Sequence, residues 1–232
     1  TIGFDDEAAD LRGSNVREEP LAIAFDVTER RSGETVPVRL AVPGRHNAEN
    51  ALAALAAVRA LGLDLREAAA ALSGFTGLRR RFDIVGTRNG VSVIDDFGHN
   101  PDKIAATLAT LHAFPGRVLI FFQPHGYGPL QKMGRELIDG FAHHLAAEDV
   151  LLMPDPVYFG GTVERAVGSE DIVAGVLATG RTAEHVASRA VAAERLLSLA
   201  RPGDRIVVMG ARDDTLSEFA AELLDRLEPK KD

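Results

Sequence analysis

Between Val91 and Asp102 the chain reads as a strand handing over to a helix, with Asp95-Asp96-Phe97-Gly98-His99 at the junction. Asn100-Pro101-Asp102 supplies an N-cap, a proline suited to the first helical position and an early acid. Two carboxylates and an imidazole are thereby expected at the carboxyl end of a buried strand, the side on which open parallel sheets hold ligands. A capped loop with solvated acids is the alternative reading. A second group is Gly44-Arg45-His46-Asn47-Ala48-Glu49-Asn50, ahead of an alanine-rich run. Asn47 and Asn50 are three residues apart, so on a helix their amides share a face. An amide offers a donor beside an acceptor, the pattern that matches the edge of adenine. Asn47 acting only as a helix cap is the simpler alternative, and it leaves His46 and Asn50 without a role.

Two further groups complete the set. Arg79-Arg80-Arg81 is the only dense basic cluster, either a solvated turn or a phosphate clamp. Gln123-Pro124-His125-Gly126-Tyr127-Gly128 follows the apolar run Val118 to Phe122, which puts His125 in a glycine-flanked loop at a strand end. His143 and His144 are expected on an amphipathic helix without a site.

The elements needed to position these groups can be read from periodicity. Leu21 to Val27 and Val36 to Val42 predict an antiparallel pair, followed by helices at Ala48 to Leu61 and Leu65 to Leu72. Ser73 to Gly77 predicts a joint, dividing the chain into 1–77 and 78–232. Beyond it, Phe82 to Gly86 and Val91 to Ile94 flank Asn89-Gly90, a tight-hairpin dipeptide. The rest alternates: helix Pro101 to Leu111, strand Arg117 to Phe122, helix Leu130 to Leu145, strand Val150 to Met153 and helix Ser169 to Leu177. Strand Glu184 to Val186, helix Ala190 to Ala200, strand Arg205 to Met209 and helix Thr215 to Leu227 follow, the last with a capping box from Thr215 and Glu218. Such alternation implies parallel crossovers and an α/β, Rossmann-like, doubly wound and mostly parallel sheet.

Composition narrows the function. The 232 residues include no cysteine, which removes disulfides, thiolate metal sites and thiol nucleophiles and fits a reducing compartment. A formal charge of −8 disfavours a nucleic-acid binder, and no apolar run is long enough to span a membrane, so a cytoplasmic location is expected. Neither a G-x-G-x-x-G fingerprint nor a G-x-x-x-x-G-K-[ST] loop occurs, which disfavours a dinucleotide enzyme. The chain opens on Thr1 inside a polar segment, suggesting a portion of something longer.

The stretches GRHNAENALAALAAVRALG (44–62), RRFDIVGTRNGVSVIDDFGHNP (80–101) and VLIFFQPHGYG (118–128) resemble the Mur ligase family. These ATP-dependent enzymes join amino acids or peptides to the UDP-linked muramic acid precursor of peptidoglycan. The third stretch is nearest the branch containing the alanine-adding and muropeptide-recycling ligases. The resemblance implies that 1–77 is the C-terminal part of the central ATP-binding domain and 78–232 the C-terminal domain. It further implies that Asn47 and Asn50 contact adenine with His46 beside the ring, and that Arg81 and Asp96 serve the ATP phosphates and nucleotide site. His99, His125 and Tyr127 then belong to the acceptor pocket. The branch's usual arginine after the histidine is Gly126 here, which sets the acceptor apart. ATP and Mg²⁺ are implied, with the phosphate loop and metal ligands expected upstream of Thr1, so that these residues alone should be inactive. The substrates implied are a UDP-N-acetylmuramate-type nucleotide sugar and an amino acid or peptide, without nucleic acid or membrane. A non-catalytic nucleotide- or partner-binding module is the reading from another class.

Overall fold

The computed structural model describes residues 1–157 and 166–227. The chain divides into two compact units, Thr1–Leu78 and Arg79–Asp232.

In the first unit β1 (Ile2–Phe4), β2 (Leu11–Glu19), β3 (Ala22–Glu29) and β4 (Thr35–Leu40) form one sheet in that order. β1 runs parallel to β2, and β2, β3 and β4 are successively antiparallel. β4 shows why a strand forms: Val36, Val38 and Leu40 are buried while Thr35, Pro37 and Arg39 are exposed. Pro37 is tolerated because β4 is an edge strand. The buried row packs under α1 (Arg45–Ala60) and α2 (Leu65–Leu72) through Leu52, Leu55 and Leu65. Periodicity reveals β3 and β4 but misses β2. That strand is largely polar, and a bulge between Ser14 and Arg17, with Asn15 at φ 51°, breaks its alternation.

The second unit carries β5 (Asp83–Arg88), β6 (Val91–Asp96), α3 (Pro101–His112), β7 (Val118–Gln123), α4 (Tyr127–His144) and β8 (Val150–Pro154). It continues with α5 (Ser169–Ala178), β9 (Thr182–Val186), α6 (Arg189–Leu199), β10 (Arg205–Gly210) and α7 (Thr215–Arg226). The six strands lie in the order β5-β6-β10-β7-β8-β9, all parallel except the antiparallel edge β5. Asn89 and Gly90 turn the β5–β6 hairpin at φ 52° and 75°, the positive pair a tight hairpin requires. β7 and β8 are buried along their whole length, as expected of strands covered on both faces.

Alternate residues of each central strand serve opposite cores. Ile94, Ile120 and Val207 pack with Leu108, Phe141 and Val176 of α3, α4 and α5. Val93, Phe121 and Val208 pack with Leu196 and Phe219 of α6 and α7 on the other face. From β10 the chain therefore leaves toward one face, whereas from its neighbours β6 and β7 it leaves toward the other. That divergence is the switch point of a doubly wound sheet, where a crevice opens beyond the strand ends.

Several boundaries differ from the sequence expectation. α1 starts at Arg45 with Gly44 as N-cap, and α4 starts at Tyr127 with Gly126 as N-cap, each three residues earlier than expected. Pro129 does not delay α4, because an early helical N–H has no intrahelical partner to lose. The expected Thr215/Glu218 capping box is absent: Asp214 is the N-cap, and the Thr215 hydroxyl donates to Asp213 instead. α3 keeps its expected start, with the Asn100 side chain accepting from the Lys103 N–H at 3.0 Å.

Candidate active site

In the first unit, Asn47 and Asn50 lie along the edge of a groove of about 330 Å³. Val42, Ala51, Leu72, Phe75 and Leu78 give it apolar walls. Asn47 is the third residue of α1, not its cap, and its Nδ2 donates to the Pro43 carbonyl at 2.7 Å. Asn50 is exposed and has no hydrogen-bond partner among the described residues. Apolar walls with amides at the rim can hold a flat heteroaromatic ring and read its polar edge. His46 is exposed and does not line this groove.

In the second unit the carboxyl ends of β6, β10 and β7 bring the remaining candidates together. Asp96 ends β6 and faces inward. Its Oδ2 accepts from the Phe82 N–H at 2.8 Å, and its Oδ1 accepts from the Gly98 N–H at 2.8 Å and the Thr107 hydroxyl at 3.1 Å. A carboxylate has about four acceptor positions, so room remains for roughly one further donor. Asp95, 1% exposed, accepts from the Ser217 hydroxyl at 2.6 Å. Burial pushes its carboxyl above the usual range, opposed by the Ser217 hydrogen bond and the Arg80 charge.

Of the three arginines, only Arg80 is turned inward, while Arg79 and Arg81 are exposed. Arg80, at φ 59°, is buried and donates to the Gly210 carbonyl at 2.8 Å and to Asp214 at 3.3 Å. Its Nε stands 3.6 Å from Asp95 Oδ1, and neither atom has a hydrogen-bond partner. Arg80 and Arg81 both lie over the Phe97 ring, at 5.0 and 4.9 Å from its centroid. Arg79, Arg81 and Phe97 line an open cavity of about 350 Å³ with Arg80 and Asp214. Arg81 is exposed, its charge held in place by the aromatic face.

From Phe97 the rings continue edge to face, to His99 at 5.3 Å and from His99 to His125 at 5.3 Å. His99 Nδ1–H donates to the Phe97 carbonyl at 2.9 Å, which fixes the orientation of the ring. Burial, the neighbouring His99 and the Arg212 guanidinium depress the His125 pKa, favouring the neutral ring. Tyr127 is the first residue of α4, directly after the loop that carries His125. His143 and His144 end α4 far along the helix from this edge, with their rings 4.7 Å apart.

Asp95 and Arg80 fall within motifs expected from the sequence, but their pairing and the support behind it carry no sequence signal. Sequence reasoning also missed the cluster in which Arg189 bonds Asp213 and Thr215, with its Nε 3.4 Å from the Gln123 oxygen. These pairings link residues far apart in sequence, and no local spacing announces them. Among the described residues no cluster of three or more carboxylate or imidazole side chains could hold a metal ion, so none of them is assigned to Mg²⁺.

Residues 80–212 match the family model described as Mur ligase, glutamate ligase domain, and residues 1–58 match that of the Mur ligase middle domain. The UDP-N-acetylmuramate–L-alanine ligase of Agrobacterium fabrum is 38% identical over 94% of this chain and 47% of its own length. That of Cereibacter sphaeroides is 39% identical over 98% and 48%. The chain thus spans about half the length of the curated relatives it matches. Among solved structures, UDP-N-acetylmuramate-alanine ligase MurC from Thermotoga maritima aligns at TM-score 0.70 and 25% identity, over 96% of this chain and 47% of that one. The murein peptide ligase from Psychrobacter arcticus shares the fold at TM-score 0.59.

Proposed function

The chain belongs to the Mur ligase family, and we propose that it forms part of an ATP-dependent amide-bond ligase. The reaction joins an amino acid or peptide to UDP-N-acetylmuramate in the cytoplasmic synthesis of peptidoglycan precursors. The muramyl carboxylate attacks the γ-phosphorus of ATP, giving an acyl phosphate and ADP. The acceptor amine then attacks the acyl carbon, phosphate leaves, and the amine loses its proton.

The observation that carries this reading is that one chain holds both a ring-sized groove rimmed by amides and a cationic, histidine-bearing edge at a sheet switch point. In the proposal Asn47 and Asn50 read the adenine edge, and His46 flanks the ring. Arg81 places a fixed positive charge against the transferred phosphoryl group, where charge builds up in the transition state. Asp96 positions the Gly98 turn and accepts a ribose hydroxyl with its remaining capacity. His99, His125 and Tyr127 hold the acceptor. The relatives' names supply the nucleotide sugar and the amino acid, and residues 1–77 and 78–232 correspond to the tail of the ATPase domain and the acceptor domain.

The test is phosphate release by the full-length protein given ATP, Mg²⁺ and UDP-N-acetylmuramate, with single amino acids or short peptides added in turn. Release that depends on both the nucleotide sugar and an amine is the expected result. Nucleotide binding without any amine-dependent release would favour a binding module instead.

A further inference from the structure

We infer that Arg80 is a positioning residue: it fastens the turn before β5 to the turn after β10, and thereby fixes where Arg81 stands. This role rests on the reading of Arg81 as the charge set against the transferred phosphoryl group. A long, exposed arginine side chain samples many rotamers. A charge that stabilises a transition state works best when its place is set before the substrate arrives.

Arg81 lies between two anchored neighbours. Arg80 and Phe82 both adopt left-handed backbone, at φ 59° and 49°, a conformation that large side chains hold only where the surroundings over-determine it. The Arg80 carbonyl accepts from the Phe97 N–H at 2.7 Å, and the Phe82 N–H donates to Asp96 at 2.8 Å. The turn is thus stitched to the end of β6 on both sides of Arg81, and the Phe82 ring is buried in the core behind it. The buried Arg80 side chain runs to a different strand end, donating to the Gly210 carbonyl at 2.8 Å and to Asp214 at 3.3 Å. Gly210 ends β10, paired in register with Gln123 of β7, so the carbonyl offered to Arg80 has a fixed place. The Asp214 side chain makes no capping bond to α7, which leaves its carboxylate to Arg80. Both guanidinium groups lie over the one Phe97 ring. Like charges repel, so a fixed Arg80 limits where Arg81 can rest on it.

The experiment is amine-dependent phosphate release by the full-length enzyme. Arg80→Lys keeps the charge but lacks the planar fork that bonds Gly210 and Asp214 together. Its kcat should fall about tenfold with the KM for the amine unmoved, and Arg81→Ala added to it should cost little further, because Arg80 acts through Arg81. The exposed Asp214 tests the same link without disturbing the interior. Asp214→Asn keeps an oxygen for Arg80 and Asp214→Ala does not, while both remove the charge. The kcat of Asp214→Asn should exceed that of Asp214→Ala by about threefold, and the gap should close once Arg81→Ala is also present. If Arg80→Lys does not fold, the Asp214 pair decides alone. Losses from Arg80→Lys and Arg81→Ala that multiply, or equal rates for the Asp214 pair, reduce Arg80 to a support of the fold and overturn the proposal, leaving the Arg81 reading intact. An enzyme indifferent to Arg81→Ala removes that reading, and the role of Arg80 falls with it.

Discussion

Three consecutive arginines show how little a residue's type determines its work. Arg80 is turned inward at φ 59° and faces the buried Asp95, while Arg79 and Arg81 remain exposed. Removing a buried partner strands a charge in low dielectric, so Arg80→Met should cost about 3–5 kcal/mol of folding stability. A urea midpoint unchanged by that substitution would show that Asp95 is already neutral or solvated. Arg81 is exposed and lies over the Phe97 face, so its loss should spare the fold. In the full-length enzyme, Arg81→Ala should instead lower kcat/KM by roughly 2–4 kcal/mol equivalent, the range for a lost oxyanion donor. Arg79→Ala should change kcat/KM far less. Equal effects at positions 79 and 81 would return the pair to the solvated-turn reading.

At the scale of elements, Asp149 joins pieces that the chain keeps apart. Its carboxylate accepts from His112 at the end of α3 and from the backbone N–H groups of Val118 and Ala146, each at 2.8 Å. Burial opposes the charge, yet the His112 bond and the two backbone bonds outweigh it and hold the pKa below the usual value. A depressed acid pKa contributes stability that is present above the unfolded value of about 4 and is lost as pH falls through the folded value. Asp149→Asn should therefore cost about 1.5–3 kcal/mol at pH 7, and the cost should shrink as pH falls below about 4. A loss that does not change with pH would mean that the charge is not what matters. Elements with a local signature were legible: the continuous apolar β7, the Asn89-Gly90 hairpin, the Asn100 cap. The polar, bulged β2 was not, and neither were the glycine-capped starts of α1 and α4, because glycine offers no capping side chain to recognise. The clustering of the candidate residues at the strand ends was legible where motifs run along the chain, as at Asp96, His99 and His125. It was opaque where partners arrive from 130 residues away, as between Arg80 and Gly210.

At the scale of the whole molecule, the groups assigned to ATP are divided: Asn47 and Asn50 belong to the first unit and Arg81 and Asp96 to the second. Ring recognition should therefore be a property of the groove on 1–78, separable from chemistry on the phosphates. These 232 residues contain no glycine-rich G-x-x-x-x-G-K-[ST] loop, and the described residues offer no metal cluster. Without those parts the γ-phosphate lacks the cradle that phosphoryl transfer needs. A pure preparation of the 232-residue chain should bind adenosine weakly, perturbing backbone amides around Asn47, Asn50 and Phe75. It should release no phosphate from Mg²⁺-ATP above the protein-free rate. Asn50→Leu should weaken adenosine by about tenfold through the lost amide contacts, and should leave the melting temperature nearly unchanged because Asn50 is exposed. Steady magnesium-dependent turnover by the chain alone would overturn this division of labour. So would adenosine shifts that avoid the groove and cluster instead around Phe97.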